Sequence, residues 1–257
     1  MKLHILGAHN VASRDTRPAS LVVDGVLALD AGSIASGLTF EEQRAIRAVL
    51  LSHRHFDHLR DLPLLGQATR DVGATVDVFG IADTVDAVKA HLLNDVIFSD
   101  FTRKPSPEAP KFRLRTVQTG KPFAVAGDYG VVAMPVVHSA PAVAYVVERE
   151  GRRVLYTGDC GGGLPAFGAL PPVHLLVSEV NYPNRLEAKA HENGHYTPTL
   201  LSKDLAALRK RWRTLPRVLV VHMVPAYEEE IRDELTEVAA NLPVDITPAH
   251  EGMMLWV

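Results

Sequence analysis

A chain of 257 residues with 47% apolar content can fill a substantial core within one α/β domain, residues 1–257. Its 27 basic and 30 acidic residues, net −3, leave no basic surplus of the kind that grips a nucleic-acid backbone unaided. The single cysteine, Cys160, excludes an internal disulfide framework and an all-thiolate zinc site, so metal ligands would be nitrogen and oxygen donors, which twelve histidines can supply.

The opening run Met1-Lys2-Leu3-His4-Ile5-Leu6 meets Gly7 too early for the apolar region of a secretory leader. No later stretch approaches the roughly 20 apolar residues of a membrane span, so a soluble, cytoplasmic protein is expected. Residues 2–6, 20–24, 26–30, 48–52 and 75–79 read as strands. Asp24-Gly25, between two apolar runs, reads as a tight hairpin turn. Thr39 with Glu42 three residues later reads as a capping box, and 82–93 as a further helix. Residues 94–110, with Pro105, Pro107 and Pro110, break the rhythm and read as a loop that can shape a pocket. Strands resume at 131–137, 144–148, 153–156, 175–180 and 218–221. Thr197-Pro198 opens a helix that places Leu201, Leu205, Leu208 and Trp212 on one face. Two β-rich halves with helices outside them predict a four-layer αββα sandwich rather than a doubly wound parallel sheet.

One segment carries the chemistry. Leu50-Leu51-Ser52-His53-Arg54-His55-Phe56-Asp57-His58 puts three histidines and an aspartate directly after an apolar strand. On an extended chain His53 and His55 point the same way and can share one ion. A helical turn beginning near Phe56 would redirect Asp57 and His58 towards a second ion close by. Imidazole and carboxylate suit zinc, manganese or iron. His138, Asp159 and His222 each stand at or just beyond the end of an apolar run, where a sheet can deliver them to a common rim.

The His53-Arg54-His55-Phe56-Asp57-His58 motif, with His138, Thr157-Gly158-Asp159 and His222, resembles the metallo-β-lactamase superfamily nearly end to end. Within it, the opening 1–7, Leu29-Asp30-Ala31-Gly32, Asp61-Leu62-Pro63, Asp100-Phe101-Thr102 and Asn181-Tyr182-Pro183-Asn184-Arg185 look like the class II cyclic-nucleotide phosphodiesterases. The resemblance implies two divalent cations, Zn2+ first, with Mn2+ or Fe2+ as substitutes. His53, His55 and His138 would hold one, Asp57, His58 and His222 the other, and Asp159 would bridge them. Phe56 stands where leucine is commoner, and Leu59-Arg60-Asp61 replaces a glycine usual after the motif; neither change touches a ligand.

Glu179, at the end of a strand, and Gly194-His195-Tyr196-Thr197 resemble the glutamate and Gly-His-x-Thr element of the tRNA 3′-processing endonucleases of the same fold. His195 is thereby the candidate proton donor and Glu179 its orienting partner, with Asp57 the third catalytic candidate. Asp30 is expected to support a ligand by hydrogen bond, Cys160 to be a buried apolar residue, and Asn184 and Arg185 to contact substrate or to be exposed loop residues. The implied reaction is hydrolysis of 3′,5′-cyclic AMP or GMP to the 5′-monophosphate by metal-bound hydroxide. The alternatives are another phosphodiester or organophosphate, a lactone, a thioester or a sulfate ester, or an RNase Z-like nuclease, and outside enzymes a metal-binding or nucleotide-sensing module. The expected partners are a small-molecule substrate and a second copy in a homodimer, without nucleic acid or membrane.

Overall fold

The computed structural model describes residues 1–72 and 74–257. Strands β1 (Lys2–Gly7), β2 (Ser20–Val23), β3 (Leu27–Leu29), β4 (Ala48–Leu50), β5 (Val76–Gly80) and β6 (Phe112–Thr116) form most of one sheet. Strands β7 (Pro122–Val125), β8 (Tyr129–Val136), β9 (Ala142–Arg149), β10 (Arg152–Tyr156), β11 (Leu175–Glu179), β12 (Arg217–Val221) and β13 (Ile246–Pro248) form the other. The last strand, β14 (Met254–Trp256), returns to pair antiparallel with β1. Each sheet is half antiparallel and half parallel: β3 to β6 run parallel in the first, β10 to β13 in the second.

The period of two along each strand builds the layers. Leu21, Val23, Leu27 and Leu29 face Tyr145, Val154, Tyr156, Val177 and Leu219 in a core between the sheets. The alternate residues turn outward. On the first sheet Leu6, Val22, Ala28 and Val49 pack with Ile34 of helix α1 (Ile34–Gly37) and neighbouring segments. Helix α2 (Phe40–Ala45) follows, opened by the full capping box of Thr39 and Glu42. On the same face lie α3 (Phe56–Leu59), α4 (Leu62–Thr69), which contributes Leu62 and Leu65, and α5 (Ala82–Ala87). On the second sheet Leu155, Leu176, Val218 and Val220 meet a second helical layer. It comprises α6 (Glu187–Asn193), α7 (Pro198–Trp212) and α8 (Glu228–Asn241), with Leu201, Leu205, Leu208 and Trp212 of α7 buried as their spacing predicts. The result is the expected αββα sandwich.

Asp24 (φ 50°) and Gly25 (φ 75°) both adopt positive φ at the centre of the tight turn that joins β2 to β3, closed by Val26 N donating to Val23 O (3.1 Å). Glu150 and Gly151 also take positive φ, as the two-residue hairpin loop between β9 and β10. The helix read over 82–93 is α5 continued by a π-helical turn, Val88–Leu92. Residues 94–110 contain no named strand or helix, as expected. No helix among the described residues is long and apolar enough to cross a membrane.

Candidate metal centre

The centre lies where parallel strands end. Asp30 follows β3, the histidine motif follows β4, Asp159 follows β10, Glu179 closes β11 and His222 follows β12. Parallel strands share a direction, so the loops at their C-terminal ends collect on one side of the sandwich. The two sheets are tied together there: Val143 N donates to Ser52 O (3.0 Å) and the Tyr145 hydroxyl to Leu51 O (2.8 Å).

His55 is the extended residue that caps α3, so the chain turns immediately before Asp57 and His58. His53, His55, His138 and Asp159 bring one donor atom each within 4.8 Å of one another, and so do Asp57, His58, Asp159 and His222. Asp159 belongs to both groups, and its two oxygens divide between them. Oδ2 lies 3.7 Å from Nε2 of both His53 and His138, whereas Oδ1 lies 3.1 Å from His58 Nε2 and 3.2 Å from His222 Nε2. His138 Nε2 and His55 Nδ1 converge to 3.1 Å, and His222 Nε2 lies 3.2 Å from Asp57 Oδ2.

The contacts of His138 with His55 and of His222 with Asp57 are hydrogen bonds, but other donor atoms of the cluster are left unsatisfied. His53 Nε2, His58 Nε2 and Asp159 Oδ1 are buried and have no hydrogen-bond partner among the described residues. Burying such groups unpaired is costly unless something else meets them. Nitrogen and carboxylate donors aimed at a common space, rather than at each other, fit divalent cations.

The far nitrogens are occupied in a way that sets the tautomers. Asp30 is fully buried; its Oδ1 accepts from Ser52 N (2.7 Å), and its Oδ2 accepts from Ser52 Oγ, His58 Nδ1 and Tyr156 Oη (each 2.7 Å). The Ser52 hydroxyl donates to Asp30 and so accepts from His53 Nδ1 (3.0 Å). His138 Nδ1 donates to Gly194 O (2.9 Å). In each of the three rings Nδ1 carries a proton and Nε2 is the nitrogen turned to the shared space, where a bound cation would take the place of any proton on it. Burial holds the pKa of His53 well below the usual histidine value and lowers His55 and His138 as well, favouring neutral imidazoles. Burial also disfavours charge on His58, but the carboxylates of Asp159 and Asp30 outweigh it and raise its pKa. Asp159 is held far below the usual carboxylate range: burial opposes this, and the adjacent His222 and His58 overcome it.

Beside these groups, His195 Nδ1 donates to Glu179 Oε1 (2.7 Å), which also accepts from Cys160 N (2.9 Å). Glu179 is fully buried. Although burial works against charge on His195, the Glu179 carboxylate pushes its pKa up to about 9. The His195 ring lies 5.0 Å from that of His138 and 5.7 Å from that of His222. Gly194 makes this approach possible. It takes φ 70°, and a Cβ there would lie 2.5 Å from His138 Cα.

The structure thus brings together all nine residues singled out as ligands or catalytic candidates, and places Asp30 behind them. Other expectations resolve differently. Arg185 is committed to Glu230 (2.8 Å) and lies over the Tyr227 ring, and Asn184 Oδ1 accepts from Thr199 N (2.8 Å), so both serve local structure. Cys160 is buried and belongs to neither donor group. His9, unassigned from sequence, is buried between Glu251 Oε1 (2.6 Å) and Glu228 Oε2 (3.0 Å). Its partners lie 242 and 219 residues away, so no local pattern could have revealed it.

The described geometry agrees with comparisons to known proteins. Ribonuclease Z of Pyrobaculum calidifontis is 25% identical over 287 aligned positions, covering 96% of this chain and 93% of its own. Yeast PDE1 superposes with a TM-score of 0.83 at 16% identity, covering 100% of this chain and 99% of that one. The metallo-β-lactamase fold protein YhfI of Bacillus subtilis superposes with a TM-score of 0.78 at 19% identity, covering 99% of each. The family model described as the β-lactamase superfamily domain matches residues 22–223, and the chain belongs to the metallo-β-lactamase superfamily of hydrolases.

Proposed function

We propose that this chain is a dinuclear metal-dependent phosphodiesterase, and that 3′,5′-cyclic AMP or GMP is its substrate. The observation that carries the reading is Asp159, whose two oxygens face two separate sets of donors with the His195–Glu179 pair alongside. His53, His55 and His138 would hold one cation and Asp57, His58 and His222 the other. Divalent cations held there supply Lewis acidity, which makes water a nucleophile near neutral pH and offsets charge on phosphoryl oxygens. Zn2+ matches the donor set best, with Mn2+ and Fe2+ as substitutes.

The chain's own groups account for the rest. Asp30, Ser52 and the Gly194 carbonyl keep His58, His53 and His138 in the ligating tautomer. His195, protonated through Glu179, gives its Nε2 proton to the departing ribose oxygen, so that the 5′-monophosphate leaves with a neutral 3′-hydroxyl.

A second reading is an RNA phosphodiesterase, favoured by the likeness to ribonuclease Z over nearly the whole chain and opposed by the net charge of −3. One experiment separates them. Zn2+- or Mn2+-loaded protein is incubated with 3′,5′-cyclic AMP and, separately, with a precursor tRNA carrying a 3′ extension. A His55→Ala, Asp57→Ala double variant serves as the blank. Formation of 5′-AMP by the wild type alone supports the proposal; cleavage of the tRNA without turnover of cyclic AMP overturns it in favour of the nuclease.

A further inference from the structure

A cavity of about 550 Å3 adjoins the metal centre and shares His55 with it as a wall. Most of its lining comes from three separate segments, with Pro63, His91 and Phe98 also contributing. Phe56 and Leu59 of α3 form one side, Ala87 and Leu92 of the α5–π-helical segment another, and Ile97 of the following loop a third. The volume falls within the range of small-molecule sites, far more than a phosphate needs. The Phe56 ring and Ile97 are 66% and 84% exposed, costly placements for large apolar side chains with nothing to cover them.

The charges around the cavity say what it can take. Two guanidinium groups reach its edge, and both are already paired: Arg54 with the Asp83 carboxylate, and Arg60 with Asp61 Oδ1 (2.8 Å). Neither is a free cation for a second phosphate. An extended polyanion crossing this face would meet hydrophobic carbon and neutralised arginines, whereas an uncharged planar ring would find an aromatic side chain in Phe56 and aliphatic ones in Leu59, Leu92 and Ile97.

We infer that this cavity is the subsite for the neutral planar ring of the substrate, the nucleobase, and that Ala87 and Ile97 determine specificity by shaping it. The inference rests on the phosphodiesterase reading and deepens it. It assigns a function to the loop at 94–98, which carries Ile97 beside the centre without supplying any of the donor residues.

The test compares two substrates with one leaving group and the same charge, thymidine 5′-(p-nitrophenyl phosphate) and methyl p-nitrophenyl phosphate, the second carrying a methyl group in place of the whole nucleoside. The wild type should favour the nucleoside ester in kcat/KM by about tenfold or more. Ala87→Trp, which fills the cavity from a helix, and Ile97→Asp, an exposed change that leaves the fold alone, should each lower that ratio by about fivefold or more. Turnover of the methyl ester should stay within about twofold of wild type. A ratio unchanged in both variants overturns the inference while leaving the phosphodiesterase reading intact. If neither ester is hydrolysed, that reading fails, and calorimetric titration with adenosine still decides the subsite. Adenosine binding that Ala87→Trp abolishes supports it, and the absence of binding or its persistence in the variant overturns it.

Discussion

His195 and His9 are both buried histidines gripped by carboxylates, and both have a raised pKa, yet they are placed for different ends. His9 uses both ring nitrogens, one on Glu251 and one on Glu228, which is also held by Arg232. Glu251 in turn accepts from Arg17 N, so the cluster joins the loop after β1 to α8 and to the turn before β14. His195 spends one nitrogen on Glu179, and its Nε2 has no partner among the described residues. What separates a cross-link from a site is therefore the unsatisfied atom. A titratable residue in a buried ion pair does not mark chemistry by itself, whereas buried polar atoms left open towards a shared space do.

The largest expected effect strikes the residue with the most open contacts. Asp159→Ala should lower phosphodiester hydrolysis by about 10³-fold or more, equivalent to about 4 kcal/mol of barrier. Because both donor groups lose a member, bound metal per chain should also fall, as measured by elemental analysis after dialysis. Retention of two metals would remove Asp159 from its shared position.

His195→Ala should follow, with a loss of about 10²-fold or more on cyclic AMP, whose ribose oxygen departs poorly without a proton. The same variant should turn over a p-nitrophenyl ester almost as well as the wild type, since that oxygen needs no acid. Equal losses on both substrates would show that His195 acts on binding rather than on proton delivery.

Asp30→Asn should weaken metal affinity about 10- to 100-fold by loosening His58 and, through Ser52, His53. A chelator titration monitored by residual activity measures it, and unchanged affinity would reduce Asp30 to a packing role.

The smallest effect on turnover belongs to the closed cluster. His9→Ala should leave kcat within about twofold while costing stability of about 1–3 kcal/mol, as its carboxylate partners lose their donor. The pH dependence follows from the shifts. Burial works against charge on His9, but its hydrogen bonds to Glu251 and Glu228 raise its pKa above 6.5. The stability it contributes is complete below pH 6.5 and is lost as pH rises through the folded value. Glu251, whose hydrogen bond with His9 overcomes burial and holds its pKa at about 2, contributes stability above its ordinary value of 4.5. That contribution is lost as pH falls towards 2. Urea midpoints at pH 6 and pH 9 should differ in the wild type, and the part of that difference due to His9 should vanish in the variant.

The fold and the cluster were legible to different depths. Short apolar and β-branched runs marked most of the strands, and the two-residue spacing of His53 and His55 placed both imidazoles on one side of an extended segment. Polar residues at strand ends, Asp159 and His222 among them, marked the rim. Strand β6, Phe112–Thr116, was harder to read, because Arg113 and Arg115 alternate with its apolar positions and three of its five residues are exposed. Helix α8 was not among the elements expected from the sequence, although Ile231, Leu235 and Val238 fall at helical spacing behind three glutamates in the first turn, a signal that could have marked it.

Periodicity and capping act over a few residues, so the one-dimensional pattern carries the elements, the layers and the identity of the donor residues. The division of the Asp159 oxygens between two sets of histidines depends instead on how the two sheets meet, as do the pairing of Arg185 with Glu230, the closed cluster around His9 and the cavity beside His55. Each joins segments far apart in the chain, and backbone spacing places no constraint on such partners until the core between the sheets has brought them into contact.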